Sequence, residues 1–220
     1  ASAEREELRQ RFVCEATLLA GLQHPCIPVI YDLGETQDGR PFYTQKPLGG
    51  GSWSDVFRRN KRHENLQILS RVADGIGFAH DRGFLHRDIQ PDSVVLQAFG
   101  EVTIIEWGVA VNLERRQELS QAGTPAYMAP EMARHDIEKI GIRSDVYLLG
   151  ATLFEIITGK APHDHGHKSA DEKLADAAAN KIVAVEASDP LLAVAYTAMA
   201  ADPEERYESA AEFQDALSRG

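Results

Sequence analysis

Apolar residues recur along this chain at two spacings. Near the N-terminus Leu8, Phe12, Ala16, Leu19 and Leu22 fall three or four apart, which predicts an amphipathic helix. Glu15 lies on the same stripe. A carboxylate facing a core requires a partner, because burying an isolated charge is costly. The next stretch, "CIPVIYDLGETQDGRPFYTQ", reads as two strands around an Asp38-Gly39 turn. Gly49-Gly50-Gly51 breaks the pattern and marks a boundary, and Ser52 with Asp55 three residues on resembles a capping box. A second long helix is predicted over 64–81, with Leu66, Leu69, Val72, Ala73, Ile76 and Ala79 near one face. Gly83 is placed to stop it.

Residues 86–93 then read as a loop, followed by short strands in "VVLQ" and "VTII" joined by a turn at Phe99-Gly100. A polar loop is expected from about Val109 to Pro125, and from Ser144 the pattern is helical to the end. "SDVYLLGATLFEIITG" is almost wholly apolar after its cap, which predicts a helix buried on all sides. Asp202-Pro203, and Ser209 with Glu212, are two helix starts.

Composition narrows the class. The chain has 220 residues, 43% hydrophobic and 26% charged, enough for one large domain or two small ones with a real core. No apolar run approaches the ~18 residues of a membrane-spanning helix. The charged N-terminus has no signal-peptide core. Both lead to the expectation of a cytoplasmic protein. The formal net charge of −11 argues against a nucleic-acid partner, whose phosphates need a concentrated basic surface. "RRNKRH", residues 58–63, is the one basic cluster of note and reads as a solvated helix end or loop. Cys14 and Cys26 form no CxxC pair and are taken as small core fillers. "HDHGH", residues 163–167, alternates three histidines in a way that suggests metal binding, but a polar loop is the preferred reading.

Motifs add chemistry. "HRD" at 86–88, "EWG" at 106–108, "GTPAYMAPE" at 123–131 and "SDVYLLG" at 144–150 together resemble the C-lobe of a protein kinase, closest to the bacterial Ser/Thr kinases. "RFVCEATLLAGLQHPCIPVIYDLGE" resembles that family's C-helix and the strand after it, and "DPEERY" its last arginine motif. The motifs follow in the right order over essentially the whole chain. The resemblance implies an α+β kinase-like fold, with a hinge position at Leu48. Residues 1–48 would belong to an N-lobe and 49–220 to a mostly helical C-lobe.

Phosphoryl transfer depends on placing ATP, holding magnesium against its phosphates and orienting the attacking hydroxyl. By resemblance Asp88 matches the aspartate that takes the hydroxyl proton. Three neighbouring positions depart from the family. Ser93 stands where an asparagine ligates one metal. Glu106 replaces the second metal-binding aspartate and is longer by one methylene, about 1.5 Å. Gln90 replaces a lysine that supports the transferring phosphate. Trp107 replaces phenylalanine, a packing change. The chain also opens at the C-helix, so the glycine-rich loop, the lysine that would pair with Glu15, and the family's first three strands do not precede it. The expectation is a remnant N-lobe, although those strands would also be missed if they lay outside this stretch.

What is retained is architecture. By resemblance Glu131 and Arg206 form a buried ion pair, and Asp145 holds the His-Arg-Asp backbone. His86 and Trp107 belong to a hydrophobic column with Leu19 and Ile30. Arg87 is either a solvated arginine or a partner for a phosphorylated segment, with Ser120 and Thr124 as candidate acceptors. The reading is therefore a pseudokinase that binds or regulates, with no cofactor, and with a protein partner or a second copy at the exposed C-helix and sheet edge. The alternative is the larger part of a Ser/Thr kinase using ATP and magnesium, with Glu106 and Ser93 as weak metal ligands.

Overall fold

The N-terminal stripe forms α1 (Ser2–Gly21) in the computed structural model. The description covers residues 2–166, 169–186 and 188–220, and excludes the side chains of residues 2–5, 7, 8, 11 and 116–118. Ala16, Leu19 and the following Leu22 are buried, and Phe12 stacks on Tyr43 with ring centroids 5.0 Å apart. Leu8 lies outside the described side chains. Cys14 is exposed. It was expected in the core, but it falls two residues after Phe12, on the far side of a helix with 3.6 residues per turn. Cys26 is buried as expected.

β1 (Ile30–Glu35) and β2 (Pro41–Gln45) pair antiparallel, Leu33 opposite Tyr43 and Gly34 opposite Phe42. Their connection is closed by Gly39 N–H to the Thr36 carbonyl at 2.9 Å, with Gly39 at φ +80°. β3 (Gly51–Ser52) leads into α2 (Trp53–Phe57) through the expected capping box. In it Ser52 accepts from the Ser54 amide and Asp55 accepts from the Ser52 amide, both at 3.2 Å. Arg58, Arg59, Lys61, Arg62 and His63 of the basic cluster are exposed.

α3 (Arg62–His80) buries Leu69, Val72, Ala73, Ile76 and Ala79 on one face, and Gly83 follows it at φ +78°. β4 (Phe84–Leu85) precedes the 86–93 loop. β5 (Val94–Leu96) and β6 (Val102–Ile104) form a hairpin, and the sheet order is β3-β5-β6. β7 (Val111–Asn112) pairs with β4. The stretch after Val109 is therefore not loop alone. It is tethered by a long-range ladder and by Leu113 N–H to the Gly83 carbonyl at 2.7 Å, pairings that leave no local periodicity to read.

α4 (Pro130–Ala133) is followed by α5 (Ile142–Thr158). Every α5 residue from Ser144 to Phe154 is buried, while its last turn is half-buried. α6 (Ala170–Ala178), α7 (Pro190–Ala198) and α8 (Ala210–Arg219) complete the helical part. Asp202-Pro203 opens only a short 3-10 turn, whereas Ser209 caps α8 by accepting from the Glu212 amide at 3.1 Å. The expected polar loop at 163–167 is corrected at its first residue. His163 is fully buried, its ring facing the Lys181 carbonyl at 2.9 Å and the Tyr147 hydroxyl at 2.9 Å. Those partners satisfy both nitrogens, which is what lets a polar ring sit in a core. His167 lies outside the described residues. Among the described residues, no helix is long and apolar enough to cross a membrane.

Candidate functional site

The loop between β4 and β5 is fixed from beneath by one carboxylate. Asp145, in the first turn of α5, is fully buried and accepts from the amides of His86 and Arg87, each at 2.8 Å. His80, at the end of α3, places Nε2 2.8 Å from the same carboxylate. Burial pushes the Asp145 carboxyl up, but the His80 hydrogen bond, the two nearby imidazoles and the His86 amide outweigh it and hold the group below its ordinary range. Arg87 takes a left-handed backbone at φ +69°. Such strain in a non-glycine residue persists only where its surroundings over-determine it.

His86 is fully buried. Its Nδ1 accepts from the Asp88 amide at 3.2 Å, and its Nε2 donates to the Ile105 carbonyl at 2.9 Å. This leaves the ring neutral, in agreement with burial pushing its pKa down. The ring meets Trp107 edge-on, centroids 4.7 Å apart. Leu19 belongs to the same core and Ile30 packs against it.

The Arg87 guanidinium is buried and spent on backbone, which removes the solvated alternative. Nε donates to the Val109 carbonyl at 2.7 Å and Nη1 to the Ser120 carbonyl at 2.9 Å, and Nη2 also meets Val109. Ser120 itself is exposed. The Thr124 hydroxyl accepts from Gln90 Nε2 at 2.6 Å, and its amide donates to Asp88 Oδ1 at 2.9 Å. Gln90 Nε2 also lies 3.4 Å from that Asp88 oxygen. The 86–93 loop and the 109–124 segment are thus laced together by Arg87, Asp88 and Gln90.

Ser93 is fully buried and turned inward. Its Oγ accepts from the Gln90 amide at 3.1 Å and donates to the Gln90 carbonyl at 2.9 Å. Glu106 is exposed, with a left-handed backbone at φ +66°. The Glu15 carboxylate lies against Gly108, where an added Cβ would come within 3.3 Å of Oε2. Burial, then the neighbouring Glu106 charge, pushes the Glu15 carboxyl up. Leu48 is half-buried and lines a cleft with Pro25 and Val29 whose walls do not include Asp88.

Glu131 and Arg206 form a bidentate pair at 2.7 and 2.8 Å with both side chains excluded from solvent, and Ser144 Oγ donates to Glu131 at 2.6 Å. Sequence reasoning missed His80 as the third donor to Asp145, and missed the Tyr127 hydroxyl donating to Glu155 at 2.5 Å. The available signal for His80 was its place four residues after Ile76 on the core-facing stripe of α3.

A helical lobe whose buried α5 carboxylate organises a His-Arg-Asp turn is the architecture of the protein kinases. The chain belongs to that family: a family model described as "Protein kinase domain" matches residues 1–217. Among curated relatives it is 31% identical over 229 residues to serine/threonine-protein kinase PknB of Mycobacterium leprae, covering 95% of this chain and 35% of the relative. It is 28% identical over 252 residues to serine/threonine-protein kinase PknD of Chlamydia felis, covering 99% of this chain and 27% of the relative. PknB of Mycobacterium tuberculosis is 30% identical over 228 residues, again covering 95% of this chain and 35% of the relative. The chain thus spans about a third or less of the length of these relatives.

Proposed function

We propose that this chain is a kinase-fold domain without efficient phosphotransfer, a pseudokinase that works by binding. The observation that carries the reading is Ser93. At the position where the resemblance calls for a metal-ligating amide, a fully buried hydroxyl closes its own turn on Gln90. Glu106 adds the reach of one methylene to the other ligand position, and magnesium demands near-ideal octahedral geometry. Gln90 spends its amide on Thr124 and Asp88 and offers no cationic charge to a phosphate. On this reading the committed Ser93 hydroxyl and the longer Glu106 side chain leave a magnesium-bound nucleotide without its usual set of ligands. In this reading residues 1–48 belong to an N-lobe and 49–220 to a C-lobe, joined beside Leu48. A protein partner meets the β1–β2 hairpin, where Tyr31, Leu33 and Phe42 are exposed, Leu33 on the face of Tyr43 and Phe42 on the opposite one.

A second reading is favoured by the names of the relatives, which are serine/threonine-protein kinases. Under it the protein transfers the ATP γ-phosphate to Ser or Thr, with further N-lobe strands outside these 220 residues. Asp88 is then the base, Glu106 and Ser93 the metal ligands, and Leu48 the hinge. Incubating the full-length protein with labelled ATP, magnesium or manganese and a generic protein substrate separates the two. The pseudokinase reading expects incorporation equal to that of Asp88→Asn. Metal-dependent incorporation that Asp88→Asn abolishes establishes the second reading.

A further inference from the structure

Phe99 carries the most exposed large apolar side chain among the described residues, at 105% relative exposure, on a left-handed backbone at φ +61°. A positive φ is uncommon for a bulky residue, and no contact within the fold uses the ring. The turn that lifts it is nevertheless firmly held. Gln97 N–H donates to the Glu101 carbonyl at 2.8 Å, Arg71 Nη1 to the Gly100 carbonyl at 2.5 Å, and Lys46 Nζ to Glu101 Oε2 at 2.8 Å.

Gln97 and Glu101, which flank this turn, also form part of the wall of a cleft of about 540 Å³. Pro25, Val29, Leu48 and Val102 supply its apolar lining, and Val29 is 43% exposed. The charges around it balance: Lys46 and Arg71 against Asp74 and Glu101, on a chain whose formal net charge is −11.

We propose that this patch is a two-fold self-association surface, with Phe99 of each copy entering the cleft of the other. A two-fold contact needs knob and hole in one self-complementary patch, and here the knob stands on the rim of the hole. A chain of strong net negative charge repels its own copy across most of its surface. At this rim Lys46 is neutralised by Glu101 within each copy, so two copies approach here without net repulsion. The cleft falls within the ~300–1,000 Å³ of ordinary ligand sites. An aromatic anchor on a preorganised turn loses little freedom on binding. The surface is separate from the 86–93 loop and stands under either reading of the chemistry.

Sedimentation velocity over a concentration series tests it, on the wild type, Phe99→Glu and Val29→Glu. The wild type is expected to show a reversible dimer. Phe99→Glu removes the knob and Val29→Glu charges the hole, and each is expected to weaken dimerisation by on the order of tenfold or more. At concentrations where both proteins are monomeric the thermal midpoint of Phe99→Glu stays at the wild-type value, since the ring packs against nothing within its own chain. A wild type that remains monomeric at every concentration, whatever else it binds at this patch, overturns the proposal. So does a dimer that both variants leave intact.

Discussion

At Asp145 a single carboxylate accepts from two successive amides and from an imidazole, so the His86-Arg87 turn is set by a residue 58 positions further along the chain. His86 then passes that order on, receiving the Asp88 amide and donating to Ile105. Accepting at Nδ1 requires the neutral ring, and burial lowers its pKa below the ordinary value. A lowered folded pKa means stability that is complete above about pH 6.5 and lost as pH falls toward the folded value. Denaturant titrations from pH 7.5 down to 5 are therefore expected to show stability declining with acid. In His86→Phe that slope is expected to be shallower by up to ~1.4 kcal/mol per pH unit. An unchanged slope contradicts the neutral-ring assignment. At this scale the sequence was legible where motif order placed a residue, as at Asp145, Glu131 and Arg206. It was not legible where a long-range partner decided the outcome. His163 is core because of Tyr147 and the Lys181 carbonyl, and Arg87 is buried because distant carbonyls receive it.

α5 and α7 show why this helical part tolerates little change. Gly150 lets the two helices close: a Cβ there would lie 2.5 Å from Ala198 Cβ and 3.2 Å from the Ala195 carbonyl. Neither atom can rotate away. Gly150→Ala gains ~1 kcal/mol in helix propensity, but overpacking a filled core costs typically ~1–3 kcal/mol. A net fall of a few degrees in thermal midpoint is expected, and a rise would show that the helices can part. Periodicity gave helices such as α3 to within two residues, because a buried stripe leaves a 3.6-residue trace. The β4–β7 ladder left none. Two residues per strand are too few for alternation to show, and their pairing closes across the whole 86–93 loop.

The molecule as a whole keeps the interactions that hold a kinase lobe in shape, and the proposed loss of phosphotransfer rests on three positions, Gln90, Ser93 and Glu106. The buried Glu131–Arg206 pair, the Asp145 anchor and the His86–Trp107 contact are all formed. Loop 86–93 and segment 109–124 are joined by hydrogen bonds through Arg87, Asp88 and Gln90. Gln90, Ser93 and Glu106 are therefore the test of whether the site, and not the scaffold, limits phosphotransfer. The direct measurement compares the full-length wild type with the Gln90→Lys, Ser93→Asn, Glu106→Asp triple variant in a magnesium-dependent ATP phosphotransfer assay. The account predicts a wild type at the level of Asp88→Asn and a higher rate in the triple variant. A wild type that already transfers phosphate, with no gain from restoring the three side chains, would contradict it.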